Sequence, residues 1–569
     1  MLSLPAVLAH AVSILCAPAV DFTFIDVGAS AGFSGFSPAF GLVTGVAAVD
    51  FDRDGLIDVF LPTGSGTPNR LYRNLGNGQF AEIAANVNLA DQTSARGALW
   101  FDYDGDGDLD LLVTHDSGTT VLSLYRHESN HTFTDVTTSA GIALGPGVPA
   151  NPNAQRQSGG VSVADIDNDG YPDICHAMWN GPLRLFRNNG NGKFTDISAS
   201  SGVGALLRSY WQPFFFDVNG DGWTDLLVSV DFDQNMLFIN QGNRTFVDVA
   251  SASGFANDMN DMGVTAGDYD NDGDMDFYVT NIYGIDPFSG QYTHNVLMRN
   301  DTSPAGVTFA EVADATGCAD GGWGWGATFL DINRDGWVDI AETNGYWNWI
   351  RPSRLFLNSG APPVGFSDVA AAAGFDDTYW GAALVALDYD RDGDQDVLQV
   401  CMEGYIRLLR TDLTGVAAAR HYLTVRPRMT GPNRFAVGAV VRATAGGLTQ
   451  MRHISAGTGA LGQEPYEAFL GLGDAGVVDV LRIEWPDGNV SVIHDVVADR
   501  SLTLTIGLPG DLDLDGDVDN VDALVFVGCL TGPGTGTQLV VDGCSGADLN
   551  GDGDVDLADY ARFAALRAD

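Results

Sequence analysis

The 569-residue sequence predicts a mainly β protein: a seven-bladed β-propeller, a small antiparallel β domain after it, and a small α-helical module with paired EF-hand-like loops at the C-terminal end. Three observations predict this. A nine-residue acidic pattern around a central glycine returns seven times, at spacings of 52, 63, 52, 51, 63 and 57 residues. A period near fifty with short apolar runs and glycine turns is that of a four-stranded blade. A phenylalanine followed two residues later by an acid also returns seven times, out of step with the loops, and two longer acidic loops precede apolar helical runs near the end.

The acidic pattern supplies oxygen at positions 1, 3, 5 and 9, with glycine at 6 for a sharp turn and a backbone carbonyl at 7. In the first copy these are Asp50, Asp52, Asp54 and Asp58, with Leu56 at position 7. The second offers Asp102, Asp104, Asp106 and Asp110 with Asp108 at 7, and the third Asp165, Asp167, Asp169 and Asp173 with Tyr171. The fourth has Asp217, Asn219, Asp221 and Asp225 with Trp223, and the fifth Asp268, Asp270, Asp272 and Asp276 with Asp274. The sixth has Asp331, Asn333, Asp335 and Asp339 with Trp337, and the seventh Asp388, Asp390, Asp392 and Asp396 with Asp394. Carboxylates this close repel by about 1 kcal/mol per pair even in water. A hard cation needing six or more oxygens makes the arrangement sensible, and calcium is that cation.

Each loop lies between two apolar runs, such as GVAAV before and LLVT or FYVT after, so it joins two buried strands. A third strand follows, as in Arg70 to Asn74 and Leu183 to Asn188. The fourth element begins at Phe24, Phe80, Phe133, Phe194, Phe246, Phe309 and Phe366. Its first copy precedes the first loop and no copy follows the last loop. The N-terminal strand is therefore expected to complete the last blade, which closes the ring and leaves no sheet edge.

These repeats, from residue 20 to 415, resemble the FG-GAP or VCBS repeats of bacterial extracellular proteins and are similar to the calcium-binding blades of integrin α-chain propellers. The resemblance implies about seven Ca2+ ions in the propeller.

The formal net charge of −46 excludes nucleic acid as a partner, since nothing here would neutralise phosphates. Residues 1–19 read as a secretory signal: an apolar run ends in Ala17-Pro18-Ala19, although no Lys or Arg precedes it. The expected location is secreted, extracellular or at the cell surface, with no membrane span. Cys16 leaves with the signal, and Cys175, Cys318 and Cys401 read as free buried thiols. Trp323 and Trp325, with Trp347 and Trp349, either line a carbohydrate-binding face or pack between blades. No Ser/His/Asp or Cys/His arrangement has supporting local sequence, so no catalytic residue is assigned.

From residue 420 to 507 apolar and polar positions alternate, as in a half-buried antiparallel sheet or sandwich. The run Asn433 to Gly438, the AGTG of Ala456 to Gly459, the GLG of Gly471 to Gly473 and the IEWPDG of Ile483 to Gly488 resemble an ASPIC/UnbV domain. Ala460-Leu461-Gly462 stand where that family commonly has serine and tyrosine.

Residues 510–569 hold two twelve-residue loops: Asp511, Asp513, Asp515, Asp519 and Asp522, then Asp548, Asn550, Asp552, Asp556 and Asp559. With the apolar runs ALVFVGCL and YARFAALR behind them, they resemble a type I dockerin. That resemblance implies two further Ca2+ ions and a cohesin-like protein partner. The family's Ser-Thr pair at positions 10 and 11 is replaced by Asn520-Val521 and Leu557-Ala558. In a secreted chain Cys529 and Cys544 either form a disulfide across the intervening insert or remain two thiols.

The whole reads as a secreted, monomeric, non-catalytic calcium-binding scaffold for interaction or adhesion, tethered through its C-terminal module, with a carbohydrate or an extracellular protein on the propeller face. The alternative is a carbohydrate-active enzyme, or a subunit of a polysaccharide-degrading assembly.

Overall fold

In the computed structural model, seven sheets follow one another along the chain, each built on four antiparallel strands, with short extra strands added to two of them, and each acidic loop joins the first of the four strands to the second. The structure describes residues 20–33, 43–64, 66–116, 121–144, 157–287, 289–346 and 349–506, then scattered residues from 522 onward and a helix, Leu557–Leu566. The expected leader over 1–19, Trp347, Cys529, Cys544 and the loop positions Asp511, Asp513, Asp515, Asp519, Asp548, Asn550, Asp552 and Asp556 lie outside the described residues. Asp522 and Asp559 are described and fully buried.

The first strands of the seven sheets are Val46–Val49, Ala95–Phe101, Gln157–Ala164, Leu207–Phe216, Val264–Gly267, Gly324–Leu330 and Gly381–Leu387. Each touches the first strand of the next sheet, and the seventh touches the first, so the contacts run in cyclic order. The N-terminal strand Phe22–Asp26 is the fourth strand of the seventh sheet, antiparallel to Ile406–Leu413 with Phe22 opposite Leu413. Closure by the chain's beginning is thus as the offset phenylalanines predict.

The fourth strand in every sheet is three to five residues long, and the acid two residues after its phenylalanine has a definite role. Its side chain accepts from the backbone N–H two residues on, the first residue of a short helical turn. Examples are Asp26 with Gly28 at 3.1 Å, Asp196 with Ser198 at 3.0 Å and Asp368 with Ala370 at 3.0 Å. Asp so placed satisfies an amide that the short turn leaves without a partner.

After the seventh sheet come two more sheets. Leu448–His453, Val440–Ala445, Val477–Glu484 and Val490–Val497 form an antiparallel one. In the other, His421–Met429 pairs antiparallel with Ala468–Gly473 but parallel with Arg500–Ile506. This mixed sheet departs from the all-antiparallel expectation. The parallel pair joins the two ends of the domain, a long-range pairing that alternation within each strand does not encode.

The segment from Ala456 to Glu467 leaves this domain and runs among the seven first strands. Gly462–Gln463 pairs parallel with Val46 and Ala47. The Gln463 side chain accepts from the Trp100 N–H at 2.7 Å and donates to its carbonyl at 2.9 Å. The Ala456 carbonyl accepts from Ser162 Oγ at 2.7 Å, and Gln212 Oε1 accepts from the Leu461 N–H at 3.0 Å. Gly459 exchanges both backbone hydrogen bonds with Val264, at 2.8 and 2.9 Å. Glu464 accepts from Thr328 Oγ1 and, at 3.2 Å, from the Ala386 N–H. Every one of the seven sheets therefore bonds to this segment. Gly45 is obligatory here, because a Cβ on it would lie 1.9 Å from the Leu461 carbonyl oxygen. Leu461 ends in an apolar cluster with Trp211, Trp323, Trp325, Met262 and Met402.

Cys175, Cys318 and Cys401 are free and buried. Near the C-terminal end the rings of Phe526 and Phe563 stack at 5.1 Å, with Ala547 and Val555 in the same small cluster. Among the described residues no helix is long and apolar enough to cross a membrane.

Candidate metal centres

Each loop is built in the same way. The position 1 carboxylate turns back to accept from the N–H of position 6, as Asp50 does from Gly55 at 2.9 Å and Asp331 from Gly336 at 2.8 Å. The position 5 carboxylate accepts from the N–H of position 7, as Asp54 does from Leu56 at 3.0 Å, Asp169 from Tyr171 at 3.1 Å and Asp221 from Trp223 at 2.9 Å. Asp106, Asp272, Asp335 and Asp392 do the same with Asp108, Asp274, Trp337 and Asp394.

Position 9 is anchored on both oxygens. Asp58 accepts from the N–H groups of Phe51 at 3.3 Å and Asn74 at 2.8 Å, tying the start of the loop to the third strand. Asp110, Asp173, Asp225, Asp276, Asp339 and Asp396 make the corresponding pair of bonds. The spacing marks position 9 as a cation ligand; the geometry shows that it is also the residue that pins the hairpin.

In five loops the carboxylates of positions 1, 3 and 9 come within 4.8 Å of one another: Asp50, Asp52 and Asp58; Asp102, Asp104 and Asp110; Asp165, Asp167 and Asp173; Asp268, Asp270 and Asp276; Asp388, Asp390 and Asp396. Position 5 lies outside these groups. The fourth and sixth loops carry Asn219 and Asn333 at position 3, and each amide oxygen accepts from the N–H of position 5, at 2.9 and 3.0 Å.

The electrostatics are those of crowded, buried carboxylates. Burial, opposed by the backbone donors and reinforced by the neighbouring carboxylates, pushes Asp58 up to about 9 and Asp225 up to about 8. It pushes Asp102, Asp268, Asp331 and Asp388 to about 7. The buried Oδ1 atoms of Asp50 and Asp388 at position 1, and of Asp52, Asp104, Asp167, Asp270 and Asp390 at position 3, accept no hydrogen bond. Buried carboxylate oxygens without a donor are costly. The donor set, all oxygen and strongly anionic, fits a hard divalent cation such as Ca2+.

One contributor is silent in the sequence pattern. Position 4 has φ between 54° and 61° in five loops, at Arg53, Asn168, Asn271, Arg334 and Arg391. That backbone throws each side chain onto the next loop: Arg53 reaches the Gly107 carbonyl at 3.2 Å, Asn168 that of Gly222 at 3.1 Å and Asn271 that of Gly336 at 3.1 Å. Arg334 reaches Gly393 and Arg391 reaches Gly55, both at 3.0 Å. The other two loops have glycine at position 4, and Gly105 instead leaves room for Pro432 of the following domain, 3.3 Å from where a Cβ would stand. An Arg or Asn at a variable position gives no sign of this from spacing alone.

Trp323 and Trp325 are 5 % exposed and sit in the core beside Leu461, so they pack; Trp349, at 39 %, is the accessible one of the three described tryptophans of this group, its ring 6.0 Å from that of Trp323. The family-like turns of the second domain are structural as well. Asn433 accepts from the Val437 N–H at 3.0 Å and donates to its carbonyl at 2.8 Å, and the Trp485 indole donates to Ser491 Oγ at 2.9 Å.

Comparison with known families finds FG-GAP-like repeats and, after them, an ASPIC/UnbV domain in this chain. The FG-GAP-like repeat family matches residues 50–113, 102–176, 165–228 and 217–279, and the ASPIC and UnbV family matches residues 429–508. Cartilage acidic protein 1 of Xenopus tropicalis is 26% identical over 321 residues, 54% of this chain and 48% of that protein. The Homo sapiens protein of the same name is 26% identical over 321 residues, with the same coverage, and that of Mus musculus over 334 residues, 54% and 49%. The chain thus spans about half the length of the curated relatives it matches. Among solved structures, that of BBS1N in complex with ARL6DN, soaked with lead, aligns with a TM-score of 0.41 at 11% identity, over 70% of this chain and 98% of that one.

Proposed function

We propose that the seven sheets are the blades of a β-propeller whose loops each hold one Ca2+, and that the chain is a secreted, monomeric, non-catalytic scaffold for interaction or adhesion. The observation that carries this is the set of buried, donorless Oδ1 atoms at positions 1 and 3. A cation is the partner that such oxygens need, and calcium there acts on structure, holding each hairpin closed. Ions that bind only the folded state stabilise it by mass action, each by about 2.7 kcal/mol at a hundredfold excess over its dissociation constant. In this reading residues 510–569 form a dockerin with two more ions, and the stacked Phe526 and Phe563 are its small core. It tethers the chain to a cohesin-like domain, leaving the exposed propeller face for a carbohydrate or an extracellular protein.

A reading as a carbohydrate-active enzyme finds less support. Among the described residues every cluster of three carboxylates within 4.8 Å is a loop cluster. The test is a pair of measurements on the mature chain: capture by an immobilised cohesin with and without calcium, and product release from a polysaccharide panel. Calcium-dependent capture without hydrolysis is expected, and hydrolysis would overturn the non-catalytic reading.

A further inference from the structure

The seven loops divide into three kinds once the third strand is set beside each. The residue just before the one whose N–H reaches position 9 is Arg73, Arg126, Arg187, Arg299 or Arg410 in the five sheets whose loops have Asp at position 3. In the two sheets with Asn219 and Asn333 it is Ile239 and Leu357. The cation on the strand and the third carboxylate in the loop occur together or not at all.

The arginine takes two positions. Arg73 lies on its loop, Nε 2.6 Å from Asp52 and Nη2 2.9 Å from Asp54, and Arg187 lies likewise, 2.5 Å from both Asp167 and Asp169. Asp167 also receives Arg244 of the next sheet at 2.7 Å. In the other three sheets an acid two residues further on draws the guanidinium away: Arg126 bonds Glu128 at 2.7 Å, Arg299 bonds Asp301 at 2.8 Å and Arg410 bonds Asp412 at 2.8 Å. The first and third sheets have Leu75 and Asn189 at that place.

We propose that this arginine is the internal counter-cation of the loop, a positioning residue that offsets the third carboxylate and competes with the bound ion wherever no neighbouring acid holds it off. This rests on the calcium reading. A fixed positive charge within hydrogen-bond reach of two ligand carboxylates lowers their attraction for a divalent ion, while its withdrawal restores it. The loops with a withdrawn arginine are therefore the tightest sites. The first and third loops are the weakest, and the Asn loops, with one carboxylate fewer and no arginine, lie between.

The experiment reads each loop separately: crystals of the full chain are equilibrated with graded terbium, and the anomalous peak at each loop gives its occupancy. Arg73→Leu should raise the apparent affinity of the first loop about tenfold, and Asp52→Asn added to it should bring that loop within about twofold of the two Asn loops. Asp301→Asn, which frees Arg299 to swing onto Asp270, should weaken the fifth loop by a similar factor and keeps the test open if the first variant does not fold. Occupancies unchanged in both variants would overturn the counter-cation role with the calcium reading intact; no terbium at any wild-type loop would overturn both.

Discussion

The guanidinium of Arg391, in the seventh loop, donates to the carbonyl of Gly55 in the first at 3.0 Å, across 336 positions of sequence. The same side chain pairs with Glu467 of the following domain at 2.9 Å. One residue thus links the last loop to the first and ties both to the segment among the first strands. Arg391→Ala removes both contacts and leaves Glu467 with Arg426 as partner. Charge-assisted hydrogen bonds of this kind contribute about 1.5–3 kcal/mol each, so a drop in melting temperature of several degrees is expected by calorimetry, with the fold retained.

Leu461 tests the segment among the strands. Its side chain is 3 % exposed within a cluster of tryptophans and methionines, and Leu461→Ala should cost about 2–5 kcal/mol, the range for a buried leucine that leaves a cavity. Chemical denaturation should show the seven sheets and the second domain losing stability together, in one transition. Two transitions, with only the second domain affected, would contradict the coupling.

Positions 3 and 9 of one loop should behave differently. Asp52→Ala removes an oxygen that accepts no backbone donor, so its destabilisation should be seen with calcium and should shrink under chelation. Asp58→Ala strands the N–H groups of Phe51 and Asn74, so its cost, about 1–3 kcal/mol per stranded donor, should persist in chelator. Melting curves of the two variants with calcium and with EGTA make the comparison.

The pH dependence has two limbs. Burial, opposed by the bonds from Thr328 and Ala386, pushes Glu464 from an ordinary 4.5 up to about 7. A raised carboxyl contributes stability that is intact below about 4.5 and is lost as pH rises through about 7. Glu464→Gln keeps the acceptor without the proton, so it should melt above wild type at pH 8 and match it at pH 4.5. His176, fully buried, is held down to about 3 by burial. Its neutral form is the folded one, so stability is lost as pH falls from 6.5 toward 3, and His176→Gln should flatten that acid limb.

The sequence was most legible where chemistry repeats. Seven loops with oxygen at fixed offsets place the hairpins, and seven phenylalanines out of step with them place Phe22–Asp26 in the last sheet. What spacing does not carry is contact between distant segments. Arg391 and Gly55, or Leu461 and Gln212, have no period to betray them, and a position 4 arginine reads as a variable loop residue until its left-handed backbone is seen. The parallel pairing of His421–Met429 with Arg500–Ile506 is hidden for the same reason. Position 9 was legible as an acid but not as an anchor, because its two N–H partners come from the loop and from the third strand, on opposite sides of the strand that carries it. The arginine pattern lay in the repeats themselves, but its meaning needed the 2.6 Å contact between Arg73 and Asp52.

The most direct test of the account is a calorimetric calcium titration of the mature chain after chelation, with a melting curve at each end point. Binding of about seven equivalents to a chain ending near residue 507, rising by two with residues 510–569 present, and a large rise in melting temperature are the predicted result. Binding of one or two ions with stability unchanged would contradict the metal-built scaffold and point to a single functional metal instead.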